Sequence, residues 1–278
     1  MEPLKDYFIN LYEQKIDYDK DEFFRHFEKF IILLNSGRVR AAEPVDDRWK
    51  VHRWVKYGIL LGFKHGDSKD FSLNSTFRYF DKHTYPLNPV QISDQVRIVP
   101  GGTTIRTGCY VAAGVVIMPP AYINVGAYVG ANSMIDSHAL VGSCAQVGER
   151  VHLSAASQIG GVLEPVGALP VIIENDVLVG GNCGIYEGTV ISKGAVIGAG
   201  TILTRSIPVY DLVNEKIIRA DQNNGLVIPE NAVVIPGSRP VVKSEFAKKE
   251  NIQSACALIV KYRDSKTDRT VALEEALR

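Results

Sequence analysis

The chain has 278 residues, the length of one large domain or two modest ones. Its 31 basic and 31 acidic residues cancel to a formal charge of zero, which argues against a nucleic-acid partner, since such proteins carry a basic excess to displace phosphate counterions. With 46% apolar and 22% charged residues, and no apolar run near the ~20 residues that span a bilayer, the composition points to a globular protein with no membrane partner.

The first residues, Met1-Glu2-Pro3-Leu4-Lys5-Asp6, carry early acids and no apolar run behind them, unlike a secretory signal. Cys109, Cys144, Cys183 and Cys256 lie far apart and form no CxxC pair, so neither a disulfide framework nor a zinc knuckle is expected. Together these features point to a cytoplasmic protein.

Residues 1–90 are expected to form an N-terminal helical domain, with helices over the first 65 or so. Phe23, Phe27, Phe30 and Ile31 share one helical face, and Asp21 and Glu22 before them suit a helix N-terminus. Trp49–Phe63 is expected to be a second apolar-rich helix, with its aromatics in a core. Pro86, Pro89 and the polar residues around them form a connector.

Over 91–205 a period of six appears. Val99, Ile105, Val111, Ile117, Ile123, Val129, Ile135, Val141, Val147, Leu153 and Ile159 lead eleven successive hexapeptides. The pattern slips across Gly160–Pro170 and resumes at Ile173, Val179, Ile185, Ile191, Ile197 and Leu203. Six residues fit neither a helical turn nor a hairpin; they fit a short strand and a corner, repeated, with each leading side chain inward. Three units close a triangular coil, and coils stack at the ~4.8 Å strand spacing, so each pairs its backbone with the next. This is the parallel β-helix of hexapeptide proteins. The Gly160–Pro170 interruption leaves the prism as a loop, and loops on rigid scaffolds tend to carry sites.

Residues 206–278 are expected to be a small C-terminal α+β region. Tyr210–Ile218 suits a hairpin, Val233–Ile235 a strand, Cys256–Val260 a strand or buried helix, and Leu273–Arg278 a terminal helix.

Several strings taken together carry a resemblance. Leu34-Asn35-Ser36-Gly37-Arg38-Val39-Arg40-Ala41-Ala42-Glu43 precedes Trp54-Val55-Lys56, and the prism holds Val96-Arg97-Ile98-Val99-Pro100 and Met134-Ile135-Asp136. Gly142-Ser143-Cys144-Ala145-Gln146 and Gly160-Gly161-Val162-Leu163-Glu164-Pro165 follow. From about residue 30 onward the chain resembles the tetrahydrodipicolinate N-succinyltransferases. The resemblance implies a left-handed winding of the β-helix, a homotrimer, and succinyl-CoA as co-substrate with no permanently bound cofactor. It also implies transfer to the amine of ring-opened 2-amino-6-oxopimelate, in lysine and diaminopimelate synthesis. Where the family often has Thr-Trp after the motif's Asp, this chain has Ser137-His138.

An amine attacking a thioester must lose a proton as the C–N bond forms, and a dicarboxylate acceptor needs positive charge. The resemblance places the catalytic, substrate-contacting Asp at Asp136 and a second acid at Glu187. Some relatives carry another Glu three residues before the latter, at a position that is Gly184 here. The family's substrate-binding Arg falls on Arg97, whose guanidinium can grip a carboxylate through two parallel bonds. Arg106 is a further candidate for the acceptor. The plain alternatives are a favoured turn residue at Asp136, a solvated arginine at the mouth of the prism for Arg97, and solvated corner charges for Glu187 and Arg106. Glu164 is read as bonding loop amides.

Only His138 and His152 lie in the prism, too few for a zinc site built on histidine alone, so no metal is expected. The prism cysteines sit where small side chains fit and read as packing residues. Arg239, Lys243, Lys248 and Lys249 are available for CoA phosphates, and sequence does not rank them. An N-acetyltransferase on the same acceptor and a non-catalytic hexapeptide scaffold remain as alternatives.

Counting hexapeptides from Val99, the Ile135 unit is the seventh. The Ile185 unit is the fourteenth or fifteenth, depending on whether the excursion stretches a unit or replaces one. In both cases Asp136 and Glu187 fall on different sides of the triangle, so one site using both must lie between subunits.

Overall fold

The computed structural model describes residues 2–46, 48–221 and 225–264. Two-residue strands from Arg97–Ile98 to Ile202–Leu203 wind into three flat parallel sheets. The first face stacks the leads Ile98, Ile117, Ile135, Leu153, Val179 and Ile197, each in register with the next. The second stacks Ile105, Ile123, Val141, Ile159, Ile185 and Leu203. The third stacks Val111, Val129, Val147, Ile173, Ile191 and Ile228. Leads from all three faces fill one apolar interior. Burying each Ile, Val or Leu contributes about 1.5–3 kcal/mol, and period six puts that gain on every rung.

At the prism two sequence expectations change and one left open is decided. Its first lead is Ile98, not Val99, because Ile98 is the residue in register with Ile117. The corner before Ile105 takes one extra residue, with Gly101 and Gly102 at φ +144° and +92°, backbone that disfavours a side chain. The Gly160–Pro170 excursion stretches one unit: Ile159 lies on the second face and Ile173 on the third, so the Ile185 unit is the fourteenth. The stack also continues past residue 205. The chain leaves at Leu203, and Val227–Ile228 and Val233–Val234 then return to extend the third and first faces. Pairing needs a free edge at the right height, not an unbroken sequence period.

The hairpin near Tyr210 is Val209–Asp211 against Lys216–Ile218. The strands near Val233 and Cys256 form one long antiparallel arm, Ala232–Pro240 with Gln253–Tyr262. The Leu273–Arg278 segment lies outside the described residues.

At the other end, α1 (Glu2–Tyr12), α2 (Lys20–Asn35) and α3 (Arg53–His65) bury Phe8, Phe23, Phe27, Phe30 and Ile59 against one another. Asp19 caps α2, its carboxylate accepting the Glu22 N–H at 2.7 Å. Trp49 is not helical. It lies in a hairpin, Ala42–Val45 with Arg48–Val51, and its indole N–H reaches Glu174 on the prism at 3.0 Å. That tertiary bond and the cross-strand pairing override the apolar run that suggests a helix from Trp49. A second hairpin, Ser68–Asp70 with Phe80–Lys82, was not legible in the sequence.

This helical unit covers the third face and, at Val125 and Cys144, part of the edge between the second and third. The Arg40 guanidinium lies 3.7 Å from the Tyr128 ring centre and donates to Gln146 at 2.9 Å. Cys144 and Val125, on corners of that edge, belong to the helical core. The short helix α4 (Glu245–Lys249) sits at the tip of the C-terminal arm.

Candidate active site

Asp136 follows the buried lead Ile135 at the edge between the first and second faces. Its backbone N–H donates to Leu153 across the coil at 2.9 Å, which turns the side chain outward. The half-buried carboxylate accepts the Ser137 N–H at 2.6 Å through Oδ1. His138 completes the corner in left-handed backbone, exposed.

Glu187 occupies a corner between the second and third faces, two residues after Ile185. It is exposed, and Oε2 accepts the Arg205 N–H from the next coil at 3.1 Å. Its φ of +53° does not single it out, because Asn132, Cys144, Ala156 and Asn182 turn their corners in the same way. The excursion flanks this corner. Gly160, where the loop leaves, lies against the Tyr186 ring, and Leu169, where it returns, puts its carbonyl against Gly188.

Arg97 is exposed on the first face, two rungs before Met134 and on the same face as Ile135. Arg106 is engaged within the chain. Its guanidinium pairs with Asp81 on the Phe80–Lys82 strand and lies over Phe63 and Tyr85, at 5.1 and 5.4 Å from their ring centres. With its side chain 13% exposed, Arg106 ties that hairpin to the prism. Glu164 is exposed and makes no hydrogen bond among the described residues, so it does not bond loop amides.

Within one chain the remaining candidates do not converge. Asp136 is in the third coil and Glu187 in the fifth, on different edges, about 10 Å apart along the axis at the ~4.8 Å spacing. Arg97 and Asp136 share a face and stand two coils apart. The helical region holds a cleft of about 480 Å³ bordered by Lys5, Arg40, Trp54 and Tyr57, but none of Arg97, Asp136 and Glu187 lines it. Proximity to the chemistry, not volume, decides which region is the site.

Other reactive groups stay out of it. Burial pushes the Cys109 and Cys144 thiols up to about 12, so neither is a nucleophile near neutral pH. His152 points outward on the first face between Met134 and Leu178, half-buried. Among the described residues no three His, Cys, Asp or Glu side chains are grouped to hold a metal, and no helix is long and apolar enough to cross a membrane. Of the cations near the arm, Lys248 pairs with Glu245 at 2.6 Å, while Lys243 and Lys249 are exposed.

One residue next to the site was missed. Lys56 is buried in α3 and donates to the carbonyl of Ala168 in the excursion. The signal available was a charge inside the apolar run Trp54-Val55-Lys56-Tyr57-Gly58-Ile59.

Residues 5–64 match the family model for the tetrahydrodipicolinate N-succinyltransferase N-terminal region. Residues 96–119 and 170–205 match that for the hexapeptide repeat of succinyl-transferase. The chain is 41% identical over 249 residues to a 2,3,4,5-tetrahydropyridine-2,6-dicarboxylate N-succinyltransferase of Aromatoleum aromaticum, covering 88% of this chain and 86% of that protein. It is 42% identical over 257 residues to the like-named protein of Serratia proteamaculans, with 89% and 86% covered. For that of Wolbachia pipientis wMel it is 40% identical over 256 residues, with 90% and 88% covered.

Proposed function

The chain belongs to the tetrahydrodipicolinate N-succinyltransferase family, and on that premise we propose how its own residues carry out the transfer. The enzyme moves succinyl from succinyl-CoA to the amine of ring-opened tetrahydrodipicolinate, 2-amino-6-oxopimelate, on the route to diaminopimelate and lysine. The amine nitrogen attacks the thioester carbonyl carbon, the C–N bond forms, the C–S bond breaks, and CoA leaves as the thiol. Both substrates are small molecules, and the reaction is placed in the cytoplasm.

Asp136 takes the amine proton as the C–N bond forms. The observation that carries this reading is the Asp136 carboxylate itself: outward, half-buried, and held at a rigid corner by the Ser137 N–H. One of its oxygens is fixed by that bond and the other is left for the amine. Arg97 grips a carboxylate of the acceptor. Its place on the Asp136 face, about 10 Å away along the axis, suits an extended seven-carbon dicarboxylate with its amine toward the acid. Glu187 is the second acid.

Hexapeptide-repeat acyltransferases are oligomers as a class, and the oligomer proposed here is a homotrimer. Its site lies between neighbours, with Asp136 from one prism and Glu187 from the next. The division of the chain proposed at 1–90, 91–205 and 206–278 gives the helical unit, the prism and the C-terminal arm, with the arm lending strands to the prism.

A CoA-release assay tests the activity. Thiol release from succinyl-CoA should require the acceptor and should far exceed release from acetyl-CoA. Preference for acetyl-CoA would make the enzyme an N-acetyltransferase, and no release with either donor would leave a scaffold.

A further inference from the structure

We propose that Lys56 is a positioning residue for Glu187, acting through the Gly160–Pro170 excursion. The proposal rests on the reading of Glu187 as the second acid.

Lys56 is 0% exposed. An ammonium carries three donors, yet among the described residues Lys56 makes one hydrogen bond, to the Ala168 carbonyl at 2.7 Å, and no ion pair. Burying a charge without a counter-charge is costly, and a methionine would fill the same volume without that cost. Burial accordingly draws the Lys56 pKa below its ordinary value of 10.5. The lysine is therefore a poor choice for helix packing and a good one for holding a carbonyl at a set place. One helical turn earlier, Arg53 lies over the same loop, where a Cβ on Gly167 would stand 3.2 Å from the Arg53 Nε. Helix α3 thus holds the excursion through the Lys56 bond at Ala168, with the Arg53 side chain beside Gly167.

The two ends of the excursion in turn flank the Glu187 corner, while the Glu187 side chain stays exposed. A Cβ on Gly160 would stand 2.7 Å from Tyr186 Cδ1, and a Cβ on Gly188 would stand 2.7 Å from the Leu169 carbonyl oxygen. Tyr186 and Gly188 are the two chain neighbours of Glu187, so each end of the loop sets one of them. The Gly188 contact is made by the residue next to Ala168. The path from Lys56 Nζ to the Glu187 backbone is short and packed: Ala168 carbonyl, Leu169, Gly188. Through it the helical unit reaches a catalytic corner that it does not touch.

The test compares Lys56→Met, Glu187→Gln and the double variant in the full-length protein. Readouts are melting temperature, kcat, KM for both substrates, and hydrogen exchange of the loop amides. Lys56→Met should keep or raise the melting temperature, because it removes a buried charge. Exchange of the Ala168 amide, which is bonded to the Pro165 carbonyl at 2.9 Å, should rise about tenfold or more as the loop loosens. The value of kcat should fall about tenfold to a hundredfold, with each KM within about threefold, as expected of a displaced catalytic group. The double variant should be no slower than Glu187→Gln alone.

A kcat within about twofold of wild type in a loosened loop overturns the proposal. So does a kcat loss that multiplies with that of Glu187→Gln, or one that appears only with a fallen melting temperature. Should Lys56→Met fail to fold, Lys56→Gln, whose shorter amide cannot reach the Ala168 carbonyl from the same helix position, must reproduce the pattern in milder form. Wild-type activity in Glu187→Gln would instead remove the role of Glu187, an outcome distinct from an inactive Glu187→Gln beside a fully active Lys56→Met.

Discussion

Asp136 and Glu187 stand on different edges of the same prism, two coils apart, with the packed apolar interior between them. Ile135 pairs with Leu153 on the first face, and Ile185 pairs with Ile159 on the second. No rotamer of either acid crosses a core filled by those leads.

From this separation, Asp136→Asn and Glu187→Gln chains should each be nearly inactive yet folded. Losing a general base typically costs about a hundredfold to ten-thousandfold. Mixing the two under conditions of subunit exchange should restore part of the activity, since some interfaces then join an intact Asp136 to an intact Glu187. Light scattering should give the trimer mass. No recovery after verified exchange, or a monomer mass at micromolar concentration, counts against the shared site.

Arg97→Lys should raise KM for the acceptor by about tenfold and leave KM for succinyl-CoA within about twofold, because lysine keeps the charge but loses the two-pronged grip. Initial-rate kinetics with each substrate varied in turn would show it. Equal losses for both substrates would contradict the assignment.

Arg106→Met should lower stability by about 1–2 kcal/mol, a value kept small because its partner Asp81 is 44% exposed and regains water. The acceptor KM should not change. A tenfold rise in that KM without loss of stability would return Arg106 to the substrate.

Cys109 and Cys144 should resist alkylation by iodoacetamide in the native protein at pH 8. Both are 0% exposed, and with pKa values near 12 little thiolate forms. Peptide mass spectrometry after native and denatured labelling gives the comparison. Rapid native labelling of Cys144 would mean that the helical unit opens from the prism, and that of Cys109 that the prism interior itself opens.

The repeat was legible because its period is local. Each hexapeptide encodes one strand and one corner, and the leads from Ile105 to Leu203 are all found facing inward. The hairpin at Val209–Ile218 was legible for the same reason, since short alternating runs carry their own pairing preference, whereas the segment around Cys256 stayed open between strand and buried helix until its pairing with Ala232–Pro240 decided it. The first rung was misplaced by one residue because Gly101 and Gly102 relax the corner, and a relaxed corner leaves no trace in the spacing. Trp49 misled because an indole in an apolar run reads as helix core, whereas its partner Glu174 is 125 residues away in the chain.

The residue pattern thus determined the prism, the inward leads and the different sides on which Asp136 and Glu187 fall, because all three follow from counting by six. Tertiary structure alone decided the rest: that Arg106 is taken by Asp81, that the excursion stretches a unit instead of replacing one, that strands beyond residue 205 rejoin the stack, and that Lys56 holds the loop beside Glu187. The physical reason is range. Backbone period and side-chain polarity act between neighbours in sequence. The partner of a buried charge is set by whichever group the folded chain brings within hydrogen-bonding distance, and for Lys56 that group is a carbonyl 112 residues away.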